Sequence, residues 1–214
     1  LLHQLISFYL EINDMNSISL EQKLAQYHDF FAIEHQFSVN IIPIAVTETS
    51  SFEQFIAGIP MPFKLATDMS AIDQSALRSL QNLGNSASQL VNFLNQQSQK
   101  IDLLIGYILS QQDEVQHRYQ GLEFGGGGIK FISNKTCDIG QFLEVKVFLL
   151  ENNCAVYCYG EVIAVEPTNE LFIHKVTFHF IREEDREVLV RTSLLQQSKQ
   201  LQKLAKIRNQ ENKK

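Results

Sequence analysis

The chain has 214 residues and a mass of 24.5 kDa, room for one ordinary domain with appended elements or for two small ones. Apolar residues make up 44% and charged residues 20%, a globular balance that excludes wholesale disorder and a fibrous repeat. The formal net charge is −6, yet Lys199, Lys203, Lys206, Arg208, Lys213 and Lys214 face only Glu211 over residues 199–214; that end is +5 and the remainder −11, a body that repels nucleic acid.

Three cysteines, Cys137, Cys154 and Cys158, form no CxxC pair, which argues against a disulfide framework and against a four-cysteine zinc site. Without a basic-then-apolar leader or a run of ~18 apolar residues, the expectation is a cytoplasmic protein with no membrane span.

Residues 1–12, LLHQLISFYLEI, are apolar enough to read as a helix docked on another element. Ser19 with Gln22 three residues on forms a capping box, and Leu20, Leu24, Tyr27 and Phe31 predict one apolar face on the helix that follows. Phe37, Val39, Ile41 and residues 44–46 predict a short strand interrupted by Pro43, and Pro60-Met61-Pro62 an extended connector ending before Asp68.

From Asp68 to Tyr119 there is no proline, and apolar residues recur at alternating spacings of three and four. With Leu80 as position a, the a/d series is Leu80, Leu83, Ala87, Leu90, Leu94, Gln97, Ile101, Leu104, Ile108, Gln111 and Val115. A strict seven-residue repeat imposes a left-handed supercoil, so this seam is meant for other helices. Apolar neighbours at e and g, including Val91, Phe93, Ile105 and Tyr107, widen the stripe beyond a two-stranded coil and point to a homo-oligomer of more than two chains, a tetramer first. The rival arrangement is an intramolecular hairpin turning at Gly84-Asn85, although the register runs through Gly84 without a skip.

After residue 121 the period falls to two. A strand begins inside or just after Gly125 to Gly128; others follow over 141–150, 154–165 and 171–181, with turns at Asn152-Asn153 and Pro167 to Asn169. Val190, Leu194, Gln197, Leu201 and Leu204 then repeat at 4-3-4-3 spacing on a final helix. The fold class is α+β, divided into an N-terminal, mostly helical segment (1–67), a long heptad helix (68–119), a small antiparallel barrel with a C-terminal helix (120–208), and a basic tail (209–214).

The glycine run lacks the lysine and following helix of a phosphate loop, and the β-β-β-β-α order excludes a dinucleotide fold. His174 and His179, five apart in a strand, point to opposite faces, so no metal site is expected; Cys154 and Cys158 share a face ~13 Å apart and read as buried packing. No catalytic residue emerges, so the protein is read as a non-enzyme.

The order of Gly128-Ile129-Lys130-Phe131, Gly140-Gln141-Phe142-Leu143, Gly160-Glu161-Val162-Ile163 and Val176-Thr177-Phe178-His179-Phe180, ahead of a helix from Asp185, resembles the PilZ domain. That family comprises small barrels in bacterial receptors for cyclic di-GMP. The resemblance implies an RxxxR clamp ahead of the barrel and a D/N-x-S-x-x-G motif on it. Here Arg118 is followed by Leu122 at the second arginine's place, and the second motif aligns with residues 123–128, leaving Arg118, Glu123, Gly125 and Gly128 as a degenerate ligand site. Leucine cannot supply a bidentate arginine contact. Together with the heptad helix this resembles the atypical PilZ subgroup assembled as tetramers. It implies a signalling adaptor in cyclic di-GMP-linked control of motility or surface attachment, working through an unknown protein partner and without a cofactor. The alternative is a genuine cyclic di-GMP receptor using a nonstandard site with Arg118, Lys130 or the tail.

Overall fold

The computed structural model describes residues 19–49, 51–69, 88–150 and 154–211. Six strands, β1 (Ala32–Pro43), β2 (Arg118–Gly125), β3 (Gly128–Ser133), β4 (Phe142–Leu149), β5 (Cys154–Thr168) and β6 (Leu171–Phe180), close into an antiparallel barrel in the order β1-β2-β3-β6-β5-β4. Around it lie α1 (Leu20–His28), α2 (Phe52–Gly58), α3 (Ser88–Ser110) and α4 (Glu183–Glu211), with a further helical stretch at 61–69. The α+β class and the small antiparallel barrel are as the sequence predicts.

Alternation places Leu143, Val145, Val147 and Leu149 of β4 inside the barrel with Phe124, Ile129, Phe131, Val156, Val176 and Phe178, and Leu189 of α4 joins the same core. Cys154 and Cys158 are part of that core, and burial pushes both thiols well up, Cys154 to about 12. A second cluster lies outside the barrel wall, where Phe148, Ala155 and Tyr157 meet Phe55, Ile59, Phe63, Ala66 and Leu109. This explains why β5 is buried on both faces through its first half. Asp185, fully buried, accepts from Thr67 and from Arg182 Nε and Nη2 at 2.7 and 2.8 Å, tying the 61–69 stretch to the start of α4.

The capping box forms as expected: Ser19 Oγ accepts from Gln22 N–H at 3.2 Å and Gln22 Oε1 from Ser19 N–H at 2.9 Å. Of the face expected on that helix only Tyr27 is fully buried, because the helix stops at His28 and leaves Phe31 beyond it.

Other expectations are corrected. The strand expected to be short is twelve residues long and ends at Pro43; it pairs with β2 over 32–40 and with β4 over 38–43, and so closes the barrel. The barrel therefore takes its first strand from the N-terminal segment, outside the 120–208 expected for it, and its second strand starts at Arg118, two residues ahead of that range. Pro60-Met61-Pro62 leads into helix rather than an extended connector, since proline is tolerated in a first helical turn. The long helix ends at Ser110, not 119. The turn between β5 and β6 is Asn169-Glu170, both at positive φ (42° and 68°), the two-residue hairpin geometry that matches strand twist, while Pro167 stays within β5. α4 runs through 209–211, into the expected tail. The helix expected at 1–12 and the turns at Gly84-Asn85 and Asn152-Asn153 lie outside the described residues.

His174 is fully buried, stacked on Phe131 at 4.6 Å, and its Nε2 accepts the Cys137 backbone N–H at 3.1 Å. That bond requires an unprotonated Nε2, and burial holds the imidazole below its ordinary value of 6.5, opposed by the carbonyls of Phe172 and Phe131. The folded state therefore resists a proton that the unfolded chain accepts, so this contribution to stability is complete above pH 6.5 and is lost as pH falls toward the folded-state value. The urea midpoint should drop between pH 7 and pH 5, and His174→Gln should flatten that part of the profile.

Candidate functional site

The residues aligned with the ligand motifs sit at two ends of one strand. Arg118 opens β2 and Gly125 closes it. Seven steps at ~3.3 Å per residue put them ~23 Å apart, so the structure does not bring Arg118 to the glycine turn.

At the turn, Gly125 and Gly128 are buried, and the space a side chain would need is filled by the chain itself. A Cβ on Gly125 would lie 2.3 Å from the Phe31 carbonyl oxygen, and one on Gly128 would lie 2.0 Å from the Val176 carbonyl oxygen and 2.8 Å from the Tyr27 ring. Glycine is required here because backbone and helix approach this closely. The cover is α1. Its Tyr27 hydroxyl donates to Glu123 Oε1 at 2.7 Å, Lys175 Nζ stands 5.0 Å from the Tyr27 ring centre, and Lys23 pairs with Glu161 at 2.6 Å. Burial first, then the Glu123 carboxylate, pushes the Tyr27 phenol far up, so it stays a donor. Glu123 is also engaged by Lys130 at 2.7 Å. The Gly126 carbonyl accepts from Arg186, and that of Gly127 accepts from Thr177 Oγ1 at 3.2 Å and Phe178 N–H at 3.1 Å.

At the other end, Arg118 pairs with Asp113 at 2.9 Å. Asp113 also accepts from Asn40 Nδ2 at 2.9 Å, while Asn40 Oδ1 accepts the Glu114 N–H at 2.7 Å and Nδ2 reaches the Glu114 carbonyl at 3.2 Å. Lys146 completes the junction by pairing with Glu114 at 2.6 Å, a hydrogen bond that holds the Glu114 carboxyl below its usual range. Asn40 is fully buried and caps the passage from α3 to β2, which ends the helix before Gln111 and Val115. Apart from Arg118, these junction residues are not among the expected site residues. An asparagine in the middle of a strand, where the type is depleted, was the signal available.

The heptad seam is open. Leu90, Leu94, Ile101, Leu104 and Ile108 of α3 are exposed, Leu90 by 55% and Leu104 by 64%, whereas Leu109 on the opposite side is fully buried against the barrel wall. Gln97 lies partly buried on the same helix. Gln111 follows α3 and Val115 stands in a 3-10 turn, so neither is on the helix, while Leu80, Leu83 and Ala87 lie outside the described residues. The wall-facing residues Ile105 and Leu109 occupy positions e and b, so a and d are left for something else.

Residues 94–194, from within α3 through β6 to the first part of α4, match the family model of the PilZ domain. The match covers β2 to β6 and leaves β1 outside it. Among solved structures, a tetrameric PilZ-domain protein of Xanthomonas campestris, self-assembled through a helical bundle, has a TM-score of 0.53 at 14% identity, covering 83% of this chain and 95% of that one. The PilZ domain of YcgR from Escherichia coli, determined with c-di-GMP, gives 0.36 at 13% identity over 44% of this chain and 83% of that one. The Bacillus subtilis inhibitor of motility MotI/DgrA gives 0.36 at 17% identity over 38% and 42%. No curated protein matches. Among the described residues, no helix is long and apolar enough to cross a membrane.

Proposed function

We propose that this chain is a non-enzymatic signalling adaptor of the PilZ type: α3 assembles the barrels, most simply as a homotetramer, and the barrels present surfaces to a protein partner in cyclic di-GMP-linked control of motility or attachment. The carrying observation is the open a/d row of α3 on a helix whose other side is already packed against its own barrel. The division into an assembling helix and a barrel, and a cytoplasmic setting, belong to this reading. The tetrameric bundle of the Xanthomonas protein supports it as a precedent on a related fold.

The same reading holds that the nucleotide site is degenerate. Arg118 is spent on Asp113, the glycine turn is covered by α1, and the second clamp position is Leu122. Each lost charged contact is worth roughly 1.5–3 kcal/mol, so two lost contacts weaken binding by about a hundredfold or more. Light scattering of the unmutated protein should give four chains per particle, and calorimetric titration with cyclic di-GMP should show no saturable heat at micromolar concentration. A submicromolar affinity abolished by Arg118→Ala would establish the receptor reading instead; a monomeric mass would remove the assembly.

A further inference from the structure

The sequence of residues 1–12 calls for a surface to dock on, and nothing in the proposed function uses them. On the helix expected there, His3, Gln4, Ser7 and Glu11 share one arc of roughly 100°, and the other eight residues, all apolar, fill the remainder. An apolar face that wide is about twice what a surface helix needs to bury. Glu11, the only Asp, Glu, Lys or Arg among the twelve, lies on the polar arc.

The course of α1 shows where this segment joins the barrel. Tyr27 lies over Gly128 of β3, and one turn earlier Lys23 pairs with Glu161 of β5 at 2.6 Å. In the barrel order β3-β6-β5-β4, α1 therefore crosses the strands, and one further turn carries Ser19 toward β4, where Phe142 is the cross-strand partner of Glu161. A strip of rings starts at that point. Phe142 stands 4.9 Å from His179, His179 4.2 Å from Phe180, and Phe180 5.5 Å from Phe52 of α2, between ring centres. His179 is exposed and Phe52 is 46% exposed, while Phe142 and Phe180 are half-buried. Ile139, 60% exposed in the turn before β4, and Leu20, 46% exposed at the start of α1, flank the Phe142 end. Charges beside that end are already paired, Lys23 with Glu161 and Glu144 with Lys146, and the carboxylates next in sequence, Asp138 and Glu53, stand at the two ends. A helix with an uncharged face can cover the strip without burying an unpaired charge.

We infer that residues 1–12 of the same chain lie as a helix along this strip, Ile12 by Phe142 and Leu1 toward Phe52, with His3, Gln4, Ser7 and Glu11 facing water. The lengths agree: the strip is no longer than about ten residues of helix, and residues 13–18, which span up to about 20 Å when extended, return the chain to Ser19. The groove beside Phe30 is a poorer seat for so apolar a segment, because Glu183, Arg186, Glu187 and Arg191 line it. The contact is separate from the α3 seam and stands or falls without it.

The chain has no tryptophan, so one introduced into the segment reports its own surroundings. In the full chain, Tyr9→Trp, on the apolar arc, should emit to the blue of Ser7→Trp, on the polar arc, and be quenched by acrylamide several-fold less. Adding Ile139→Glu and His179→Glu should abolish that difference; both sites are exposed, so the barrel should stay folded, as circular dichroism will show. Adding Leu90→Asp and Leu104→Asp instead should leave the difference intact, as a contact within one chain requires. Equal quenching of the two tryptophan variants would mean that residues 1–12 are not docked. Protection that survives the strip substitutions, or that vanishes with the α3 pair, would place the segment on another surface; each of these results overturns the inference.

Discussion

Replacing Leu90 and Leu104 together by aspartate should at least halve the particle mass measured by light scattering and leave the barrel folded. Both side chains are exposed in the single chain, so the substitutions remove nothing from either described core. In an assembly they become the centre of the bundle, and each layer would have to bury one aspartate from every chain. Isolating a charge from water costs several kcal/mol per ion even after relaxation, more than a half-buried leucine contributes to association. The contrasting substitution is Leu109→Ala, on the same helix but with its side chain fully buried beside Phe55, Phe148 and Tyr157. It should cost about 2–5 kcal/mol of stability through the cavity it leaves, without changing the assembly. If the double aspartate variant kept its full mass, α3 would not be the assembling element.

That pair of outcomes reflects what was legible in the sequence. The a/d row could be read because heptad spacing is local, and the structure leaves Leu90, Leu94, Ile101, Leu104 and Ile108 of that row exposed. The end of the helix could not. Ile108, Gln111 and Val115 keep the spacing, and what breaks it is Asn40, more than seventy residues earlier, whose side chain captures the backbone of Glu114. The same non-locality hid β1: Pro43 looks like an interruption, but it lies at the strand's last residue, where only its partner β4 shows that the ladder is already complete. An arginine ahead of a barrel reads as a ligand residue through the family resemblance; its neighbour Asp113 is brought to it only by the turn at 111–117, which the heptad spacing does not reveal.

The glycine turn presents the hardest case for sequence reading, since a glycine required by a ligand and a glycine required by the chain's own helix look alike. In the structure the chain's own helix packs against this turn, and Gly128→Ala should show how far that packing needs the glycine. The added methyl would meet the Val176 carbonyl oxygen at 2.0 Å and the Tyr27 ring at 2.8 Å. The first neighbour belongs to the β3–β6 ladder and the second to α1, so either the barrel wall or its cover must shift. Overpacking of this kind costs typically 1–3 kcal/mol, and a backbone neighbour places this site at or beyond the upper figure, about 3 kcal/mol. For a chain of this size that lowers the melting temperature by roughly 6–12 °C. Gly58→Ala provides the opposite sign: it lies at the end of α2 with nothing within 4 Å of the new Cβ, and should raise stability by about 0.5 kcal/mol through a stiffer unfolded chain. Thermal unfolding of the two variants, monitored by circular dichroism, measures the difference. Because no ligand enters either measurement, a large loss for Gly128→Ala without added nucleotide assigns that glycine to packing under α1, whereas an unchanged melting temperature would mean that α1 does not close over the turn.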